Sequence, residues 1–412
     1  MKYIILLGDG MAGLPIESLG GKTTLQAAHT PNMDAMAAAG VIGLAKTVPD
    51  GLPPGSDVAN LAVLGYDPKR YYTGRAPLEA ASIGVELGPD DVAYRCNLVT
   101  IRCLEEECHV RTFCRKCIME DFSAGHITTA EATALINVIE STLGGDEISF
   151  YPGVSYRHLM VWRHGQHAAK CIPPHDITGQ EVHSKLPEGP GADFLIELMR
   201  RSAEILEEQP VNKERRVSGK NPANSIWLWG QGKKPALPTF AEKYGLTGSM
   251  ISAVDLMKGI AVYLGLDVIN VPGATGYIDT DYRGKAEAAL KAVENKDFVY
   301  VHVEAPDEAG HGGKLDHKLK AIEDFDEKVV GTVLDYVRGK EGYRVLVMPD
   351  HPTPIAVKSH TSDPVPFIFY DSGAERASGA DGYDEDSAKA SGVYVSEGHR
   401  LMEYMIKGGI ES

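Results

Sequence analysis

Apolar positions along the chain fall into short continuous runs separated by longer stretches with helical spacing. The run Tyr3-Ile4-Ile5-Leu6-Leu7 is closed at once by Gly8-Asp9-Gly10, the pattern of a strand buried on both faces. From Thr30 onward Pro31 stands at a first helical turn, and Met33, Met36 and Ala37 share one face. Residues 268–271, 298–303 and 344–348 are again short, apolar and β-branched, and the spacing predicts helices over 250–264, 284–293 and 319–338. Strands alternating with helices predict an α/β protein with a parallel-sheet core and helices on both faces.

The middle of the chain has another character. Residues 98–103 and 110–114 read as hairpin strands and 159–163 as a further strand, with helices over 129–142 and 192–208. The polar, Pro-bracketed stretch 210–222 reads as a linker, after which 225–228 is strand-like again. These features predict a core made of residues 1–92 and 223–412, interrupted by a smaller α+β cap domain over 93–222. Residues 372–391, rich in Gly, Ala, Ser and Asp, read as a surface loop.

Composition narrows the function classes. With 43% hydrophobic and 24% charged residues over 412 positions, the chain is an ordinary globular protein of two or three domains, not a disordered or fibrous one. Its 41 Lys and Arg against 57 Asp and Glu give 41 − 57 = −16. That balance argues against nucleic acid or an anionic membrane as partner and leaves room for one small basic pocket holding an anionic metabolite. No stretch approaches the ~18–20 apolar residues of a bilayer span. The opening run is too short for a signal-peptide core, so a cytoplasmic location with reduced cysteines is expected.

Three of the expected core strands end in metal-ligand chemistry. Asp9 follows the first; Asp307 and His311 follow the strand at 298–303; Asp350 and His351 follow the strand at 344–348. Ligands of open parallel sheets gather outside the carboxyl ends of the strands. Taken singly, Asp9 reads equally as a turn cap, His311 as a solvated partner of Asp307, and His351 as a core histidine. Taken together they describe a site. Carboxylate and imidazole ligands suit zinc or manganese, and a cluster of this size could hold two ions. His360 is a further candidate, as is Ser56, which would begin a helix over 57–64 behind Gly55; an ordinary N-cap is the plainer reading of Ser56.

The segments Gly8-Asp9-Gly10-Met11, Pro54-Gly55-Ser56-Asp57, Pro306-Asp307 with His311-Gly312-Gly313, Pro349-Asp350-His351 and His360-Thr361-Ser362-Asp363-Pro364-Val365-Pro366 occur in an order that resembles the cofactor-independent phosphoglycerate mutases of the alkaline phosphatase superfamily. The shorter, archaeal-type branch is the most similar, through Gly65-Tyr66-Asp67-Pro68, the segment 72–80 and Arg95-Cys96-Asn97-Leu98-Val99-Thr100. The resemblance runs nearly from end to end and is weakest across 103–117 and 372–391. It implies an alkaline phosphatase-like fold and two divalent ions, manganese or zinc with magnesium a further option. Asp9, Ser56, Asp350 and His351 would surround one ion and Asp307, His311 and His360 the other. Ser56 would become phosphoserine while 3-phosphoglycerate and 2-phosphoglycerate interconvert.

A mutase must also hold glycerate and its phosphate, for which guanidinium forks are suited. Arg75, Arg95, Arg157, Arg215, Arg216 and Lys233 are the candidates, each read more simply as a surface charge; His158 or His175 could shuttle a proton. Closure of the cap about crossings near Val92 and Pro222 would shut out water. The same site could serve a homoserine kinase-like phosphotransferase, a phosphomonoesterase, or a metal-stabilised binding protein without turnover. No phosphate-binding GxxxxGK[ST] loop is present. Finally, Cys103, Cys108, Cys114 and Cys117, with Cys96 and His109 nearby, are spaced tightly enough to clamp a zinc ion across a hairpin, though free surface thiols are the simpler expectation.

Overall fold

The apolar runs pair into two separate sheets. In the computed structural model, which describes residues 1–105, 109–374 and 377–409, the strands in chain order are β1 (Lys2–Gly8), β2 (Val41–Ala45), β3 (Val92–Cys103), β4 (Cys117–Asp121), β5 (Ile148–Tyr151), β6 (Arg157–Trp162), β7 (Ser225–Lys233), β8 (Gly248–Ile251), β9 (Asp267–Ile269), β10 (Phe298–Val303), β11 (Tyr343–Met348), β12 (Val365–Asp371) and β13 (Tyr394–Val395). The chain divides into two compact units, Met1–Tyr72 with Ala236–Ser412, and Thr73–Pro235.

The first unit is built on an eight-stranded sheet of order β13-β2-β12-β11-β1-β10-β8-β9. β1 lies between β10 and β11, parallel to both, with Gly8 opposite Val303 and Leu7 opposite Met348. Three carboxyl ends therefore meet at one edge. The core of the sheet, β11-β1-β10-β8-β9, is parallel as expected, and the sheet becomes mixed beyond it: β12 is antiparallel to both β11 and β2. A parallel return needs a crossover, usually through a helix, and residues 349–364 contain none, so the chain turns at that edge and runs back.

Other differences have local causes. The helix expected over 250–264 begins only at Asp255, because Met250 and Ile251 pair with Tyr300 and Val301 as part of β8. The helix expected over 319–338 is continuous in direction but widens into a π turn at Asp326–Val330. There the Asp326 carboxylate accepts from the Asn32 and Met33 backbone N–H groups, at 3.2 and 2.7 Å, and so caps the helix Pro31–Ala39. The loop expected at 372–391 carries the helix Glu385–Ala390. It is pinned by buried Tyr383, whose hydroxyl donates to Pro366 O at 2.8 Å.

The second unit is an antiparallel sheet with β3 as its spine: β4, β6 and β7 all pair with β3, and β5 pairs with β6. Apolar faces of the helices Thr129–Leu143 and Ala192–Glu207 cover it. This unit reaches further than the expected 93–222. Ala76, Ala80 and Leu87 pack on Ala93, Leu159 and Val161, and β7 carries the chain to Lys233, whose carbonyl accepts from the Thr73 hydroxyl at 2.7 Å. The expected linker 210–222 is largely a helix, Pro210–Val217, with Pro210 in its first turn and Asn212 and Arg215 buried. The expected strand at 110–114 is one 3-10 turn, Val110–Thr112, ended by buried Phe113 at φ 43°, and the hairpin partner is β4 instead. Among the described residues no helix is long and apolar enough to cross a membrane.

Candidate functional site

Because β11, β1 and β10 are adjacent and parallel, the residues just past their ends converge. Asp9, Asp307, Asp350 and His351 are all buried there. Gly10, at φ +63°, makes the turn after β1: a Cβ on it would lie 2.7 Å from Asp307 Oδ1 and 2.9 Å from Asp307 Cα. Its N–H donates to Asp350 Oδ1 at 3.2 Å.

Ser56 reaches this cluster from the helix Ser56–Val63. Gly55, not Ser56, is the N-cap, and in the first turn it is the Asp57 carboxylate that accepts from the Val58 N–H, at 3.0 Å. The Ser56 hydroxyl is spent elsewhere: it lies 3.1 Å from His351 Nε2 and 3.4 Å from Asp9 Oδ2. One turn on, Asn60 donates to Ser56 O at 2.9 Å and to Asp350 Oδ2 at 2.8 Å, and accepts from the Tyr300 hydroxyl. Asn60 thus fixes serine and carboxylate together.

Three groups of ligand atoms result, one of Asp9, Asp350 and His351, one of Asp307, His351 and His360, and one of Asp9, His302 and Glu304, so that His351 and Asp9 each belong to two. His311 adjoins the second, 3.3 Å from Asp307 Oδ2 and 2.8 Å from His360 Nε2. His311 Nδ1 lies 3.1 Å from Lys358 O and His360 Nδ1 3.3 Å from Pro54 O. Each ring therefore gives its Nδ1 proton to a carbonyl and turns its Nε2 inward, the orientation of metal-bound histidines. Burial raises the Asp9 carboxyl well above its usual range, and the charges of Asp350, Asp307 and Glu304 raise it further. Asp9 Oδ1 is buried without a hydrogen-bond partner. His311 is lifted to about 9, burial opposing the shift and Asp307 outweighing it. The pocket favours positive charge, and its donor set fits divalent cations.

Several residues of this centre carry no motif. His302, inside β10, lies 3.0 Å from Asp9 Oδ2 and 3.2 Å from the Ser252 hydroxyl; burial lowers it to about 4, which keeps the ring neutral. Lys318 is fully buried and donates to Thr353 O at 2.7 Å and Ala12 O at 3.2 Å. Thr353 in turn donates to Asp307 Oδ1. A histidine or lysine within an apolar run is the signal that could have exposed His302; nothing local marks Lys318 or Asn60.

In the second unit Glu79 is nearly buried, accepting from Arg75 Nε and Arg95 Nε at 2.9 Å each. Arg157 also acts on this pair, giving three guanidiniums around one carboxylate. The Arg95 guanidinium lies over Trp229 at 4.1 Å, and His175 meets the same ring edge-on at 5.2 Å. Other expected substrate residues have different work. Every nitrogen of the buried Arg215 guanidinium is engaged, by Asn221 O, Glu131 and Ala124 O. Arg216 pairs with Glu207 at 2.6 Å and Lys233 with Asp90 at 3.2 Å. His158 is buried with Nδ1 accepting from Gly153 N at 3.0 Å, and burial drives it down to about 3, so it stays neutral and is unsuited to shuttling a proton.

The expected cysteine clamp is altered as well. Cys114 is disulfide-bonded, so the four are not all free thiols; Cys103 and Cys117 carry no disulfide, their Sγ atoms lie 2.9 Å apart, and Cys108 lies outside the described residues.

Fold and site together place the chain among α/β enzymes whose acids, imidazoles and a serine meet at the carboxyl edge of the sheet. Residues 37–212 match the family described as 2,3-bisphosphoglycerate-independent phosphoglycerate mutase. A protein of Methanosarcina barkeri with that name is 54% identical, over 99% of this chain and 100% of its own. A Geobacter sulfurreducens protein named "Probable 2,3-bisphosphoglycerate-independent phosphoglycerate mutase" is 58% identical, over 98% and 100%. The solved cofactor-independent phosphoglycerate mutase of Thermoplasma acidophilum superposes with a TM-score of 0.65 at 27% identity, covering 100% of each chain. A Pyrococcus horikoshii structure superposes at 0.80 with 30% identity, covering 98% and 96%. The chain belongs to the 2,3-bisphosphoglycerate-independent phosphoglycerate mutase family.

The arginine cluster makes one prediction. Glu79 is held below its ordinary 4.5: burial pushes it up, but Arg95 and Arg75 outweigh burial. Glu79→Gln leaves Arg95 buried without its counter-charge and should lower stability by about 3–5 kcal/mol at pH 7. A depressed carboxyl contributes stability above the unfolded value near 4.5 and loses it as pH falls through the folded one. Urea unfolding should therefore show the gap between variant and wild type narrowing at acid pH. Equal midpoints at pH 7 would refute the role given to Glu79.

Proposed function

We propose that the protein is a metal-dependent phosphoglycerate mutase that interconverts 3-phosphoglycerate and 2-phosphoglycerate through a phosphoserine on Ser56. The observation that carries this is the Ser56 hydroxyl. At the start of a helix it caps nothing, and it faces His351 and Asp9 at 3.1 and 3.4 Å. Family membership gives the reaction class, and the two adjoining acid–imidazole groups suit phosphoryl chemistry.

In this reading Asp9, Ser56, Asp350 and His351 hold one divalent ion, and Asp307, His311 and His360 the other. Manganese or zinc suits the mixed oxygen and nitrogen donors, with magnesium the harder alternative. When bound, such ions lower the pKa of the serine hydroxyl and offset the charge of the phosphoryl oxygens. Ser56 Oγ attacks phosphorus, its bond to the C3 oxygen of glycerate breaks, and that oxygen takes a proton. The C2 hydroxyl of glycerate then attacks the phosphoserine, the Ser56 O–P bond breaks, and 2-phosphoglycerate leaves. Asn60 holds Ser56 in register, and the Gly10 N–H holds Asp350. The second unit is the substrate-binding cap: Arg75, Arg95 and Arg157 outnumber Glu79 by three to one and would receive the carboxylate or phosphate. His175, beside Trp229, is the remaining candidate proton carrier there.

Two outcomes are expected. Ser56→Ala should keep its fold by circular dichroism, since no cap is lost, while turnover falls by at least about 10⁴-fold. Wild-type enzyme quenched in acid with substrate should yield a phosphopeptide spanning Ser56; a variant keeping a tenth of the rate would rule out the covalent route. Chelation should abolish mutase activity without unfolding the chain, and added manganese or zinc should restore it. Full activity in the rigorously metal-free protein would overturn the metal assignment.

A further inference from the structure

The cysteine hairpin of the second unit is absorbed by none of the chemistry above. Cys103 ends β3 and Cys117 begins β4, and the two stand directly opposite in the antiparallel register. Their Sγ atoms are 2.9 Å apart, and Cys114 Sγ is 3.9 Å from Cys117 Sγ. Between Cys114 and Cys117 the chain makes a tight turn, closed by Cys117 N–H donating to Cys114 O at 2.9 Å. The turn aims the Lys116 backbone N–H at Cys114 Sγ, 3.3 Å away. A backbone donor pointed at sulfur stabilises the thiolate over the thiol.

We propose that this hairpin, in its reduced form, is a second and separate metal site, holding one zinc-class ion through the Cys103, Cys114 and Cys117 thiolates. Zinc–sulfur bonds of about 2.3 Å in a tetrahedron place sulfurs about 3.8 Å apart, close to the spacing of Cys114 and Cys117. Closing on an ion needs Cys103 and Cys117 to separate by about an ångström at the loop end of the hairpin. His109 supplies the fourth ligand. Its carbonyl already accepts from Cys117 Sγ at 3.9 Å, and it lines with Cys103 a cavity of about 550 Å³ through which an ion can enter. Thiolate donors set the preference: soft sulfur selects zinc over the magnesium or manganese that carboxylates accept.

Cys114 is disulfide-bonded in this structure, so loading begins with reduction. A small dithiol attacks the partner sulfur and the Cys114 sulfur leaves as a thiol; the dithiol's second sulfur then displaces the partner sulfur, also as a thiol, and the dithiol departs as its own cyclic disulfide, a two-electron exchange with no other reactant. Cys103, Cys114 and Cys117 then lose their protons as the ion binds. Burial, reinforced by Cys117, holds the Cys103 thiol up at about 12.

Cobalt(II) separates this site from the acid–imidazole centre, which contains no sulfur and yields no thiolate-to-cobalt charge-transfer band. The full chain, reduced with a phosphine and stripped of metal, should develop that near-ultraviolet band on titration with cobalt(II), saturating at about one ion per chain, and zinc should bleach it. The band should disappear in C114S/C117S, whose turnover stays within about twofold of wild type because neither cysteine lies at the acid–imidazole centre. No band in the reduced wild type, or a band that survives the double substitution, overturns the proposal. Should the variant not fold, peptide mapping of the wild type decides. Zinc must protect Cys103, Cys114 and Cys117 from alkylation at least about tenfold, and equal labelling with and without zinc overturns the site.

Discussion

Asp9, Asp307 and Asp350 lie buried within each other's electrostatic reach, and much of the first unit is organised around their mutual repulsion. The sheet imposes this proximity. β1 is flanked by β10 and β11 in parallel, so three loops must leave one edge within two strand spacings of β1. The protein supplies partial compensation. His302 meets Asp9, Lys318 holds the Thr353 carbonyl, and the Gly10, Asn60 and Thr353 donors fix the oxygens individually. Burial lowers Lys318 to about 8, so even its ammonium is weakly held, and Asp9 keeps one oxygen without a hydrogen bond. The remaining imbalance is what divalent cations would offset, and Ser56 stands where such charge would be felt.

The second unit solves the opposite problem. There positive charge is concentrated, with Arg75, Arg95 and Arg157 around Glu79 in a chain whose net charge is −16. A single carboxylate orients two guanidiniums and leaves the group cationic, while Trp229 covers the Arg95 face that water would otherwise hydrate. Arg215 uses the same chemistry for another end. Bound to Glu131 and two carbonyls, it ties the helix Pro210–Val217 to the loop before the helix Thr129–Leu143. Arg95 and Arg215 thus part ways through the acceptors that tertiary packing delivers.

Local sequence by itself determined a good deal. The strands at β1, β10 and β11, the acids and imidazoles that follow them, and Ser56 behind Gly55 were legible. Each belongs to a continuous apolar run ended by glycine, proline or a ligand-type residue, and those signals need only neighbours in the chain. The family resemblance rested on the same segments. Only the tertiary structure decided the rest, because those features depend on partners far away in sequence. Whether 250–251 is strand or helix is settled by Tyr300 and Val301, and whether 365–371 runs parallel or antiparallel by the helix-free return from β11. The unit boundary moved to Tyr72 and Pro235 because residues 76–87 found their apolar partners on β3 and β6. Asn60, Lys318 and His302 look ordinary in sequence. They acquire their roles only when strands separated by some three hundred residues bring Asp9 and Asp350 to the same edge, where a buried carboxylate must find a donor or a cation.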